Sequence, residues 1–153
     1  MIGRIAAVDY GRRRIGLAVC DPLGITVSGL DTVRVSGTTE AAAAAVAAVL
    51  KKREVARVIV GLPLHADGRE SEMSREAKAF GLALARALDL AVTFVDETLT
   101  SWEAEESLKA AGRRLESARK RGEVDRAAAV ALLRGYLRDL DGGRGDAPPD
   151  PPG

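Results

Sequence analysis

The chain has 153 residues, 46% of them hydrophobic, enough for one domain with a real core and too few for two independent ones. Aromatic residues make up only 3%, which predicts an aliphatic core, and a formal net charge of +1 excludes indiscriminate coating of nucleic acid while leaving room for a local basic patch. A single cysteine, Cys20, excludes an internal disulfide framework. The amino terminus has no signal-peptide pattern, and the longest apolar run, Ala41 to Leu50, is too short for a bilayer, so a cytoplasmic chain without a membrane segment is expected.

The stretch from Arg4 to Asp21, RIAAVDYGRRRIGLAVCD, organises everything that follows. Ile5 to Val8 is an apolar run that ends on a carboxylate, Asp9, turns through Tyr10-Gly11-Arg12-Arg13, and resumes as Ile15 to Val19, the signature of a β-hairpin. An acid at the end of so apolar a strand is costly unless a metal, a cation or amide donors meet it. Gly11 and Gly16 permit a sharp turn or a close approach, and Arg12, Arg13 and Arg14 set dense positive charge beside the acid, an association that suggests phosphate chemistry. Cys20 lies inside the second apolar run and reads as a small core residue.

Ile25 to Val35 is rich in Val, Thr and Leu and predicts a third strand in a meander. Thr38 or Thr39 offers an N-cap for an alanine-rich helix running to about Lys52. Ala56 to Gly61 reads as a short buried strand, followed by the loop GLPLHADG, where Asp67-Gly68-Arg69-Glu70 resembles a capping box for the next helix. Met73, Ala77, Phe80, Leu84 and Leu88 give that helix one apolar face. Ala91 to Val95 is the next strand, followed at once by Asp96 and Glu97 and then by a capping box, Thr100-Ser101-Trp102-Glu103, that opens a helix to about Ala111. Gly112 to Gly122 is a basic connector, Glu123 to Leu140 the last helix, and the Pro/Gly-rich remainder from residue 141 a disordered tail, leaving residues 1–140 as the domain.

This order predicts an α/β fold with a mixed five-stranded sheet: the first, fourth and fifth strands parallel through crossover helices, the second and third antiparallel on one edge. In open sheets of this kind, sites form beyond the carboxyl ends of the parallel strands. Asp9 and Glu97 each end one of these strands, and the GLPLHADG loop leaves the strand expected between them. An acid before a helix also favours its positive end, so Glu97 stands out only by its strand-end position. Asp125 shares a helix face with Ala128, Ala129, Leu132 and Tyr136, which turns its carboxylate toward the packed side.

Three converging carboxylates repel one another unless a multivalent cation neutralises them. Oxygen-only ligands point to Mg²⁺ or Mn²⁺, since neither Cys20 nor His65 has companions for zinc. Two such ions roughly 3.5–4 Å apart could activate a water and stabilise the leaving oxygen of a phosphodiester displacement. His65, the only histidine, reads as an exposed loop residue, with a general-acid or phosphate-contact role as its alternative. Arg113, Arg114, Arg119, Lys120 and Arg121 either track a sugar-phosphate backbone or solvate the connector.

Taken together in this order, VDYGRRRIGLAVCD, GLPLHADG, DETLTS and VDRAAAVALL resemble the YqgF/RuvX family of ribonuclease H-like proteins over nearly the whole chain except its tail. The resemblance implies a ribonuclease H-like fold and a metal-dependent nuclease with its carboxylates at Asp9, Glu97 and Asp125. It also implies two roles, 5′-end processing of precursor 16S ribosomal RNA and resolution of Holliday junctions. Nucleic acid is then the expected partner, met by a monomer or, for paired cuts across a symmetric junction, a two-fold homodimer. Departures fall at Thr98, where relatives often carry arginine, at His65-Ala66, where Asn-Met is usual, and at Cys20, where serine is common. Two other classes compete. Asp-x-Gly after a first strand also opens the phosphate loops of actin-like kinases, though these need two lobes, and a non-catalytic nucleic-acid adaptor would keep the fold without the chemistry.

Overall fold

The computed structural model describes residues 3–35, 37–63, 69–96 and 123–141. Strands β1 (Ile5–Asp9), β2 (Arg14–Cys20) and β3 (Val27–Arg34) lead into helix α1 (Thr39–Lys51). Strand β4 (Arg57–Leu62), helix α2 (Glu72–Leu88), strand β5 (Val92–Asp96) and helix α3 (Glu123–Asp141) follow. The five strands form one sheet in the order β3-β2-β1-β4-β5. β1 runs parallel to β4, and β4 to β5, while β2 is antiparallel to both β1 and β3. This is the expected topology, and it places the carboxyl ends of the three parallel strands along one edge.

The two faces of the sheet follow from period-2 alternation. Ala6, Val8, Ile15, Leu17, Val19, Val58 and Val60 point to one side, where they pack with Val46 and Leu50 of α1 and Phe80 and Leu84 of α2. Ile5, Ala7, Ala18, Cys20 and Ile59 point to the other, against Ala129, Leu132 and Leu133 of α3. Because β1, β2 and β4 are covered on both sides, they read as continuous apolar runs rather than alternating ones. Cys20 is 2% exposed, as expected of a core residue.

Helix starts are set by short hydroxyl side chains. Thr38 caps α1, accepting from the Ala41 amide at 3.1 Å. For α2 the cap is Ser71, not the Asp67–Glu70 segment suggested by the sequence. The Ser71 hydroxyl accepts from the Ser74 amide, the Ser74 hydroxyl accepts from the Ser71 amide, and each bond is 2.9 Å. Serine thus fills the reciprocal place usually taken by Glu or Gln. The Ser71 hydroxyl also donates to the Pro63 carbonyl at 2.6 Å, tying the start of α2 to the exit of β4. At the other end α2 stops at Asp89, which adopts a left-handed conformation (φ 54°).

The helix expected over 100–111, the connector at 112–122 and the tail beyond 141 lie outside the described residues. Among the described residues no helix is long and apolar enough to cross a membrane.

Candidate active site

Asp9 is the last residue of β1, the central strand of the sheet. Ile5 and Ala7 face α3, so alternation sends the Asp9 side chain to the same side, where the residue is only 9% exposed. Its cross-strand partner in β2 is Gly16. Directly opposed residues of an antiparallel pair share a face, so the missing side chain of Gly16 would also point toward α3.

That absence seats the helix. A Cβ on Gly16 would lie 2.0 Å from the Asp125 carbonyl oxygen and 3.1 Å from the Asp125 Cβ. The first turn of α3 therefore rests on the backbone of β2 at the residue paired with Asp9, and Asp9 and Asp125 come together on one face at the predicted edge. Asp125 is turned inward as its helical spacing indicates: Ala128, Ala129 and Leu132 on the same face are buried. Its carboxylate accepts from Arg14, with Nε 3.2 Å from Oδ2 and side-chain exposures of 29% and 21%.

A second contact holds the same turn of α3. The β2–β3 register shifts between Ile15 and Leu17, so that Gly16 faces a bulge around Asp31 and Thr32. Arg126 lays its stem over Gly29, where a Cβ would meet its Cγ at 2.5 Å. Its guanidinium donates to the Leu30 carbonyl at 3.1 Å and to Asp31 Oδ1 at 3.3 Å. Arg126 thus binds the bulge that lies opposite Gly16. Sequence reasoning flagged Gly16 as a point of close approach but missed Arg126, whose partners lie about 95 residues away in the chain.

The three consecutive arginines go to three places. Arg14 meets Asp125. Arg12 turns to α2, where its guanidinium makes a two-pronged pair with Glu76, Nε lying 2.9 Å from Oε2, and approaches Glu72 at 3.8 Å. Arg13 is exposed, and its carbonyl accepts from the Val35 amide at 2.9 Å. Tyr10 packs on Phe80 with ring centroids 4.9 Å apart and donates to Glu76 at 3.4 Å. Hydrogen bonds from Arg12 hold the Glu76 carboxyl below its ordinary value, with desolvation pushing the other way. Burial, aided by the Glu76 charge, pushes the Tyr10 hydroxyl up.

Glu97, His65, Thr98, Arg113, Arg114, Arg119, Lys120 and Arg121 lie outside the described residues. Among the described residues no three His, Cys, Asp or Glu side chains cluster as a metal site. The donors present still fit a hard divalent cation in kind: two inward-facing carboxylates at one sheet edge, oxygen-only, with a guanidinium beside one of them.

Comparison with known proteins gives a consistent result. The relatives include a provisionally named pre-16S rRNA nuclease from Synechococcus sp., 45% identical over 130 residues and covering 85% of each chain. One of the same name from Koribacter versatilis is 43% identical, covering 88% of this chain and 86% of its own. Among solved structures, Thermus thermophilus RuvC in complex with a Holliday junction substrate superposes with a TM-score of 0.58 at 18% identity, over 91% of this chain and 96% of that one. At that identity the likeness is one of fold, and it bears out the ribonuclease H-like expectation. A model of the family described as RuvX: Holliday junction resolvase matches residues 3–139, and with relatives this similar over most of its length the chain belongs to the RuvX family.

Proposed function

We propose that this RuvX-family nuclease uses a divalent cation, Mg²⁺ or Mn²⁺, held by Asp9, Glu97 and Asp125, to cleave precursor 16S rRNA near its 5′ end. The observation that carries this reading is the seating of Asp125 on Gly16, the cross-strand partner of Asp9. Two acids more than a hundred residues apart in sequence share one edge and one face because of it. Glu97 follows β5 directly, and Val95, two residues earlier, packs on the α3 side of the sheet. When bound, the cation supplies an activated water and stabilises the departing oxygen.

The chain's own residues account for the rest. β1, paired on both sides, fixes Asp9, while Gly16 and the Arg126 clamp fix the backbone that carries Asp125. Arg13, exposed in the turn between β1 and β2, is assigned a contact to a backbone phosphate, as is the basic run Arg113, Arg114, Arg119, Lys120 and Arg121. His65 is left as a loop contact to substrate. The partner is nucleic acid in the cytoplasm, met by a monomer or a homodimer.

The family description favours a second substrate, a four-way DNA junction. A matched assay decides between them. The precursor-rRNA 5′ flank and a four-way junction are offered in Mn²⁺ and in Mg²⁺, with Asp9→Asn and Asp125→Asn as controls. Cleavage of the RNA alone, lost in both variants, assigns rRNA processing, and paired symmetric nicks in the junction assign resolution. Cleavage of neither by the folded wild type removes the nuclease reading and leaves the adaptor.

A further inference from the structure

Arg14 opens β2 two residues before Gly16, so it lies on the same face as Gly16 and Asp9, and its guanidinium already occupies one oxygen of Asp125. We propose that Arg14 is a resident counter-cation, displaced from Asp125 when a divalent ion binds and then engaging a phosphate of the nucleic acid. The inference rests on the metal-site reading above. Its physical basis is that one partly shielded carboxylate cannot serve two cations at full strength, and like charges brought to the same oxygen repel. A lysine or histidine in this place could relieve the conflict by losing its proton. Arginine keeps its charge at any working pH, so it must change partner.

The available partner is chemically defined. A planar guanidinium freed beside a metal-bound phosphodiester matches phosphate oxygens in a two-pronged geometry. Among the neighbouring cations only Arg14 is bonded to Asp125 among the described residues, so it is the one that metal binding would release. Arg12 is held by Glu76, and Arg126 by Leu30 and Asp31 on the bulge. If one side chain alternates between Asp125 and the substrate, metal binding and nucleic-acid binding strengthen each other by the same factor.

The test begins with calorimetric titration of Mn²⁺ alone into wild type, Arg14→Gln, Arg14→Lys and Asp9→Asn. Removing a competing cation from a partly shielded pair is expected to tighten Mn²⁺ binding about three- to tenfold in Arg14→Gln, with Arg14→Lys between it and wild type. Should Arg14→Gln fail to fold, Arg14→Lys carries the comparison. Unchanged or weaker Mn²⁺ binding in the arginine variants overturns the proposal while the metal site stands. No Mn²⁺ binding by wild type, or binding untouched in Asp9→Asn, overturns the metal-site reading and this proposal with it. Fluorescence polarisation with a labelled four-way junction and a precursor-rRNA flank, in Ca²⁺ and in chelator, then reads the exchange. Wild type should gain affinity with Ca²⁺ on at least one of them, and Arg14→Gln should lose that gain. An equal gain in both proteins, or none in wild type on either probe, overturns the exchange.

Discussion

Gly16 shows how a single missing side chain can seat a helix. Its Cβ would strike the backbone of Asp125, which cannot rotate out of the way as the end of a flexible side chain could. Gly16→Ala is therefore expected to lift the first turn of α3, at a cost of about 2–3 kcal/mol in urea unfolding, and to weaken Mn²⁺ binding as well. A loss of stability with Mn²⁺ affinity intact would separate the seat from the site. Glu76 illustrates a different constraint. Its folded-state value lies below the ordinary 4.5, so its pairing with Arg12 adds stability at neutral pH that is lost as pH falls from about 4.5 through the depressed value. Wild type should melt above Glu76→Gln at neutral pH, with the difference closing in acid. A gap in melting temperature that persists unchanged into strong acid would contradict that sign.

The elements were largely legible in the sequence because their signals are local. Short apolar runs, crossover lengths and the Thr38 cap depend on neighbours within a few residues, and these point to the sheet order and to the edge on which Asp9 lies. The start of α2 was misplaced because Ser71-x-x-Ser74 lacks the acidic N3 residue that marks a capping box, although two hydroxyls perform the same exchange. Ser71→Ala should cost about 1–2 kcal/mol, since it removes both the cap and the bond to Pro63. A change below a few tenths by chemical denaturation would mean that water replaces both. What the sequence could not disclose was pairing across long separations. Nothing near Arg14 indicates that Asp125, 111 residues on, will meet it, and nothing near Arg126 points to the bulge at Asp31. The inward face of Asp125 is legible because helical spacing is local, whereas its counter-ion is not.

At the scale of the molecule, one sheet separates two unequal cores. Buried residues on the α1 and α2 side include Phe80, Leu50, Leu84 and several strand valines, whereas the α3 side is built around Ile5, Ile59, Leu132 and Leu133 with alanines and Cys20. Both Leu133 and Phe80 are fully buried. Leu133→Ala should cost about 2–4 kcal/mol and Phe80→Ala about 3–5. Only the first should also weaken Mn²⁺ binding in protein that remains folded, because only the first loosens the helix carrying Asp125. Equal effects of both on Mn²⁺ affinity would show that the two cores act as one.

The smaller of these cores holds α3, which carries Asp125, while Asp9 belongs to β1, buried throughout and paired on both sides. Warming should therefore dismantle the proposed site from one side, with α3 lifting while β1 remains paired to β2 and β4. Catalytic capacity would then fade at temperatures where the sheet is still intact, and cooling would restore it without the chain having to refold.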